Sequence, residues 1–335
     1  MERILIVNVN WLGDAVLTTP VFKALKEHYP SSYLACMCVE RVREVFESNP
    51  YINEVIVFDE KSTHKSIMSK LRFILHLRKK RFDKAFFIHR SFTRVLICFL
   101  AGIKERTGYA RIKNFFVINN RVKKPLNLVH RQEHYLYLFE AQGVVFKDKT
   151  PRFFIKEDIR DAIKKTLEPI TKHHAFIIGI NPSANWVLKR WPSGNFAKLA
   201  DRLIKENNAA ILFVGANKDS AVVDEVIGKM EEKPYNFCGK TSIAELGALM
   251  SHMNIFISND SGPAHLAASL GVNTLVIFGP TSAKVTSPLG RSVSIIKKDS
   301  GCNIPCYNSE CLENVCLTQL TSSEVYDEVK NILSK

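Results

Sequence analysis

The feature that most restricts this chain is a double alternation of short apolar runs and amphipathic helical stretches. The runs are too short for helices and are bounded by turn residues, so they read as strands buried on both faces. In the first series RILIVNV (3–9), YLACMCV (33–39), INEVIVFD (52–59), KAFFIH (84–89) and ERTGY (105–109) are separated by helical patterns. Those patterns include PVFKALKEHYP (20–30), RVREVFESNP (41–50) and HRQEHYLYLFEAQGV (130–144). The second series has strands at AFIIGINPS (175–183), AAILFVGA (209–216), NIFISND (254–260) and NTLVIFGPT (273–281). Its helices are FAKLADRLIKEN (196–207), DSAVVDEVIGKM (219–230), SIAELGALMSH (242–252) and GPAHLAASL (262–270). Ser242 and Glu245 have the spacing of a capping box. Repeated strand–helix–strand units specify parallel, doubly wound sheets. The expected class is therefore α/β, with two Rossmann-like domains at 1–168 and 174–320, a hinge near 165–175, and a C-terminal helix over 321–335.

Charge separates the halves. Residues 1–150 hold 26 Lys and Arg against 14 Asp and Glu, a net +12; residues 151–335 hold 21 against 19, a net +2. Within 61–131 there are 19 basic residues and two acids, Asp83 and Glu105. The cluster HLRKKRFDK (76–84) alone also fits a solvated helix face, but the whole window points to a surface for an anionic partner. A nucleic-acid partner is disfavoured, because no helix-turn-helix, zinc-finger or RNP-like pattern accompanies the charge. Met1-Glu2-Arg3 leads directly into a strand, which reads as no signal peptide. The longest apolar run, VLICFLAGI (95–103), is too short to span a bilayer. The expected location is cytoplasmic.

Of eight cysteines, Cys36, Cys38, Cys98 and Cys238 lie in apolar surroundings and read as small core residues. Cys302, Cys306, Cys311 and Cys316 cluster, but not at a standard zinc-finger spacing, so reduced thiols are favoured over a metal site. No catalytic metal is expected.

Ligands of parallel sheets gather at the carboxyl ends of strands. Polar loops stand at such ends at 8–14, 181–191, 215–219, 258–265 and 278–283. The stretch NPSANWVLKRWP (181–192) offers Ser183 and Lys189, the lysine as a point charge for phosphate. In SNDSGPAHLAA (258–268), Ser261 and Gly262 open a helix whose backbone N–H groups favour an anion. Asp260 suits sugar hydroxyls, or alternatively a helix cap. His265, one turn in, reads as a neighbour of the donor rather than as a base. Thr281 comes from FGPTSA (278–283). P-loop and G-x-G-x-x-G patterns are absent, as is D-x-D. In VNWLGDAVLTTP (9–20), Asp14 reads either as a reacting acid or as an acidic N-cap.

The set NWLGDAVLTTP, KRWP (189–192), SNDSGPAHLAASLG (258–271) and FGPTSAKVTSPLG (278–290), in this order, resembles the ADP-heptose:lipopolysaccharide heptosyltransferases of glycosyltransferase family nine. NWLGD is most similar to the heptosyltransferase II branch. The resemblance covers essentially the whole chain and is more specific for the family than for the branch. It implies a GT-B fold with the C-terminal helix packing back on the first domain. It implies transfer of L-glycero-D-manno-heptose from ADP-heptose, with inversion and without a cofactor, to an anionic lipopolysaccharide core precursor at the inner face of the inner membrane. By position, Asp14 would be the base, and Lys189, Ser261 and Gly262 would hold the donor phosphates. Asp260 would meet the donor sugar, Asp219 the ribose, and CGKTS (238–242) would border adenine. Ala184-Asn185 stand where some members carry two threonines in the phosphate loop. Arg90, Arg94, Arg106 and Arg111 are the expected acceptor contacts, since arginine pairs bidentately with carboxylate and phosphate. Another nucleotide sugar or acceptor is the main alternative, and a sugar-nucleotide epimerase a weaker one.

Overall fold

The computed structural model describes residues 1–110, 116–306, 308 and 310–334. The chain forms two compact units, Met1–Phe154 and Ile155–Lys335.

The strands of the first unit are β1 (Arg3–Val7), β2 (Tyr33–Cys38), β3 (Glu54–Val57), β4 (Lys84–Phe87), β5 (Glu105–Tyr109) and β6 (Asn120–Val122). They pair in parallel in the order β3-β2-β1-β4-β5-β6. The helices are α1 (Leu12–Leu17), α2 (Pro20–His28), α3 (Glu44–Glu47), α4 (Ile67–Lys80), α5 (Phe92–Leu100) and α6 (Arg131–Glu140). β1 is apolar at every buried position because both its faces are covered. Leu5 and Val7 share a core with Phe73 of α4 and Cys98 of α5. On the sheet's other face Phe86 stacks on Phe139 of α6 at 4.8 Å. Each such side chain contributes about 1.5–3 kcal/mol by leaving water. Two expectations change here. RVREVFESNP is not one helix but a 3₁₀ turn, Glu40–Val42, followed by the single turn of α3. The stretch read as a loop over 8–14 already turns helical at Leu12, so Asp14 lies in the first turn of α1.

The second unit contains β7 (Phe176–Asn181), β8 (Ala209–Phe213), β9 (Tyr235–Asn236), β10 (Ile255–Asn259), β11 (Thr274–Phe278) and β12 (Val293–Lys297). They pair in parallel as β12-β11-β10-β7-β8-β9. Its helices are α7 (Glu157–Thr171), α8 (Ser193–Asn207), α9 (Ser220–Ile227), α10 (Ile243–Met250), α11 (Gly262–Ser269), α12 (Ala283–Thr286), α13 (Val315–Thr318) and α14 (Ser322–Leu333). Gly179 sits mid-strand because a Cβ there would come within 2.2 Å of Met253 Sδ.

The division falls before α7, not after it. Ile163, Leu167 and Ile170 form the buried face of α7, which packs on α10 of the second unit. Within the second unit, α14 packs on α8 and β10. Its Val325, Tyr326, Val329 and Ile332 belong to the core that holds Leu199, Leu203 and Ile255.

Both sheets have a switch point. In the first the chain runs outward from β1 through β2 and β3, then returns to β4 on the other side of β1. In the second the same reversal separates β7 from β10. The carboxyl ends of β1 and β4, and of β7 and β10, are therefore where each unit can receive a ligand.

Candidate active site

At the first switch point the chain leaves β1 through Asn8, which is fully buried. Its side chain donates to Thr18 Oγ1 at 3.0 Å and accepts from the Val9 amide at 2.7 Å. This ties the strand exit to the end of α1. Asp14 follows, three residues into that short helix, and it does not cap it: Trp11 occupies the cap position without a side-chain bond. The Asp14 carboxylate turns instead toward α6. Arg131 Nη1 lies 3.2 Å from Asp14 Oδ1, and Tyr135 stands near enough for the Asp14 charge to act on its hydroxyl. Burial, then the Asp14 charge, pushes the pKa of Tyr135 up, so its hydroxyl stays protonated at neutral pH. Asp14 is largely covered, with 12% of its side chain exposed, while Arg131 is 46% exposed. Trp11 is exposed beside them and carries the Arg41 guanidinium over its ring at 4.3 Å.

Further cations stand along α6. Burial lowers the pKa of His134, and the charges of Lys124, Arg90 and Arg131 lower it further, which places all three near the α6 side. Arg90 is exposed, as an acceptor contact needs to be. Arg94 is not: it is buried, and its guanidinium donates to Glu60 Oε1 at 3.1 Å, Asn8 O at 3.0 Å and Asn10 Oδ1 at 2.9 Å. Arg106 is buried as well, and donates to Val117 O at 2.5 Å, Lys104 O at 2.9 Å and Ile103 O. Both arginines are braces for loops, which corrects their expected role as acceptor contacts. Arg111 lies outside the described residues.

Sequence reasoning passed over Glu60, Asn10 and His89. The Asn10 amide nitrogen lies 2.9 Å from His89 Nε2, and His89 Nδ1 accepts from the Ser91 amide at 3.1 Å. Burial, then the nearby Arg94 charge, lowers the His89 pKa to about 4, so the ring is neutral near pH 7. Glu60 was legible as the acid immediately preceding the long basic window.

The second switch point gathers most of the remaining predicted residues. Lys189 Nζ donates to Asp260 Oδ2 at 2.6 Å, and Thr281 Oγ1 donates to the same oxygen at 2.7 Å. Thr286, at 3.5 Å from that oxygen, was not anticipated. Asp260 is buried and thus depends on these partners. Its N-cap reading fails, since α11 starts after Ser261. Ser261 does not cap α11 with its side chain either, for its hydroxyl pairs with Ser258 Oγ at 2.8 Å. The start of α11 at Gly262 therefore presents its backbone without a side-chain cap, the arrangement that suits an anion. His265 is buried one turn along.

Ser183 and Asp219 form a separate pair, the hydroxyl donating to Oδ1 at 2.7 Å. Asp219 Oδ2 also accepts from the Ala216 amide at 2.9 Å, closing the 3₁₀ turn Asn217–Asp219. Gly215 beside it has little room for a side chain: a Cβ would lie 3.1 Å from both Asp219 Cβ and Cys238 Sγ. The loop bearing Lys189 is fixed by Trp191. Its amide donates to Asn259 Oδ1 at 3.0 Å and its indole to Leu320 O at 2.9 Å.

Cys36, Cys38, Cys98 and Cys238 are buried, as expected. In the C-terminal cluster Cys302 is exposed, Cys306 and Cys311 are half-buried and Cys316 is buried. Burial raises the Cys316 pKa and the neighbouring thiols raise it further. Among the described residues no group of three or more His, Cys, Asp or Glu is placed to hold a metal ion. No helix among them is long and apolar enough to cross a membrane.

Each of the two units is thus a doubly wound sheet with polar side chains at its switch point, the first presenting an acid paired with an arginine and the second a lysine beside a helix start. The family described as glycosyltransferase family 9 (heptosyltransferase) matches residues 70–316, and the chain belongs to that family. Lipopolysaccharide heptosyltransferase 2 of Salmonella typhimurium is 26% identical over 99% of each chain. Lipooligosaccharide heptosyltransferase 2 of Campylobacter jejuni is 29% identical over 96% of each. The solved E. coli ADP-heptose lipopolysaccharide heptosyltransferase II has a TM-score of 0.84 at 24% identity, covering 100% of this chain and 99% of that one. The expected α/β, GT-B class holds in the two parallel sheets and in this likeness.

Proposed function

We propose that this enzyme transfers L-glycero-D-manno-heptose from ADP-heptose to the anionic inner core of a lipopolysaccharide precursor, with inversion at the anomeric carbon. One observation carries the reading: the Asp14 carboxylate is not the cap of its own helix and is paired with Arg131 of α6, beside Tyr135. An acid that merely capped α1 would have no need of that setting. The names of the relatives supply the sugar and the acceptor class.

The chemistry follows from the groups present. Asp14 takes the proton of an acceptor hydroxyl while that oxygen attacks the anomeric carbon. The bond from that carbon to the β-phosphate oxygen breaks on the opposite face, and ADP leaves with the electron pair. Lys189 and the start of α11 at Gly262 offset the charge that grows on the leaving phosphate. This assigns the work usually given to a divalent ion to the chain itself. Asp260 Oδ2 holds Lys189, Thr281 and Thr286, which leaves Oδ1 for donor hydroxyls. Asp219 takes the ribose, with Ser183 orienting it. Arg90, with Lys124 and Arg131, receives the acceptor's phosphates and carboxylates.

The test is a donor screen on a heptose-free core acceptor, with the product read by mass spectrometry and its anomeric configuration by NMR. ADP-heptose giving a single added heptose of inverted configuration is the expected result. Turnover with an unrelated nucleotide sugar, or retention of configuration, overturns it.

A further inference from the structure

The first unit carries an apolar surface that none of the site chemistry uses. On α4, Ile67 is 78% exposed, Met68 59%, Leu71 47% and Leu75 57%. At 100° per residue these four fall within one arc of the helix, opposite Phe73 and Leu77, which are buried in the core. A helix with one apolar stripe toward its own core needs no second stripe toward water. Arg72, Arg78 and Lys79 are exposed around the same arc, and α4 has no acid. Large side chains in water, ringed by cations, are the composition of a helix that lies on an anionic membrane.

Topology aligns this surface with the site. In a parallel sheet each helix begins where a strand ends, so α4 starts at the carboxyl edge that also carries Asp14. Phe92, at the start of α5, is 45% exposed. Leu126, in the connection leaving β6, is fully exposed. The apolar side chains thus extend along the edge where the acceptor is assigned.

We propose that the outer face of α4 docks this enzyme on an anionic lipid bilayer, with Met68, Leu71 and Leu75 entering the headgroup region and Arg72, Arg78 and Lys79 meeting lipid phosphates. The proposal rests on the reading that the acceptor is lipid-borne. A lipid-anchored acceptor is then searched for in two dimensions, with the catalytic edge held at the surface that contains it.

The test uses the full chain and vesicles of phosphatidylcholine, with or without phosphatidylglycerol. The wild type should co-sediment with the anionic vesicles only. Met68→Ser/Leu71→Ser/Leu75→Ser should weaken that partition by at least about tenfold, with an unchanged melting temperature. Arg72→Glu/Arg78→Glu/Lys79→Glu should abolish the preference for anionic lipid. Transfer to a deacylated, water-soluble acceptor should be the same in the serine variant and the wild type, and transfer to a vesicle-embedded acceptor should fall. Equal partition of wild type and serine variant overturns the proposal. So does a wild-type dimer that the serine substitutions convert to monomer, which would identify a second copy as the occupant. Vesicle partition is read without turnover, so a wrong acceptor assignment and a wrong docking face give different results.

Discussion

The guanidinium of Arg131 lies 3.2 Å from Asp14 Oδ1. The acid proposed as base is thus held by a residue far along the chain, and its orientation depends on α6 rather than on α1 alone. Asp14→Asn keeps the shape and loses the base. Its kcat should fall roughly 10²–10⁴-fold, with donor affinity and melting temperature nearly unchanged. Steady-state kinetics with calorimetry checks this, and turnover near the wild-type rate would return Asp14 to a structural role.

Lys189 should bind donor phosphate and also compensate Asp260. Lys189→Ala is expected to weaken ADP binding by about 1.5–3 kcal/mol, the range for a hydrogen bond to a charged group. It should also destabilise the second unit, because Asp260 is buried and keeps only hydroxyl partners. Lys189→Ala/Asp260→Asn should recover part of the stability and none of the affinity. Denaturant titration and calorimetry on the same samples separate the two.

The arginines of the first unit divide by burial. Arg94→Ala should cost roughly 2–4 kcal/mol of stability, since Glu60 loses its cation and keeps the Ser91 hydroxyl, and the Asn8 carbonyl loses a donor. Arg90→Ala should leave stability within about 0.5 kcal/mol and raise acceptor KM, most at low salt. Equal effects of the two variants on the urea midpoint would contradict the assignment.

His89 makes stability depend on acid. Its folded pKa, about 4, lies below the ordinary value of 6.5, so the unfolded chain binds the proton first. The contribution is full above pH 6.5 and is lost as the pH falls toward 4. Urea midpoints between pH 4.5 and 7 should slope less in His89→Asn than in the wild type.

Treatment with a chelator should leave turnover intact, because Lys189 and the start of α11 are assigned the leaving-group charge. A stoichiometric metal, lost together with all activity on chelation and restored with it, would require another account.

The residues whose meeting was readable in the sequence stand at strand exits. Lys189, Asp260 and Thr281 come from different loops, yet parallel strands must deliver those loops to one edge, so their meeting was legible. Thr286 was hidden because it lies on α12, a single turn with no apolar pattern. Arg94 and Arg106 were misread because a count of charge says nothing about burial. For Arg94 a signal existed in the flanking FTRVLICFL (92–100), since an arginine amid that apolar run needs an internal partner. α1 escaped notice because LGDAVL is too short for a 3.6-residue period to show, and tertiary burial of Ala15, Val16 and Leu17 holds it. β6, β9 and β12 are edge strands of mixed polarity, which leaves no run of apolar residues to read.

Trp191 ties three parts of the second unit into one object. Its amide is bound to the tip of β10 through Asn259, and its indole to Leu320, just before α14. The lysine two residues earlier therefore has an anchor in the tail of the chain. A stop codon just before residue 320 would leave every proposed site residue in the sequence and still loosen the loop that carries Lys189, because the indole's footing would be gone. Selection on the proposed chemistry thus reaches to the turn before the last helix, far along the chain from Lys189.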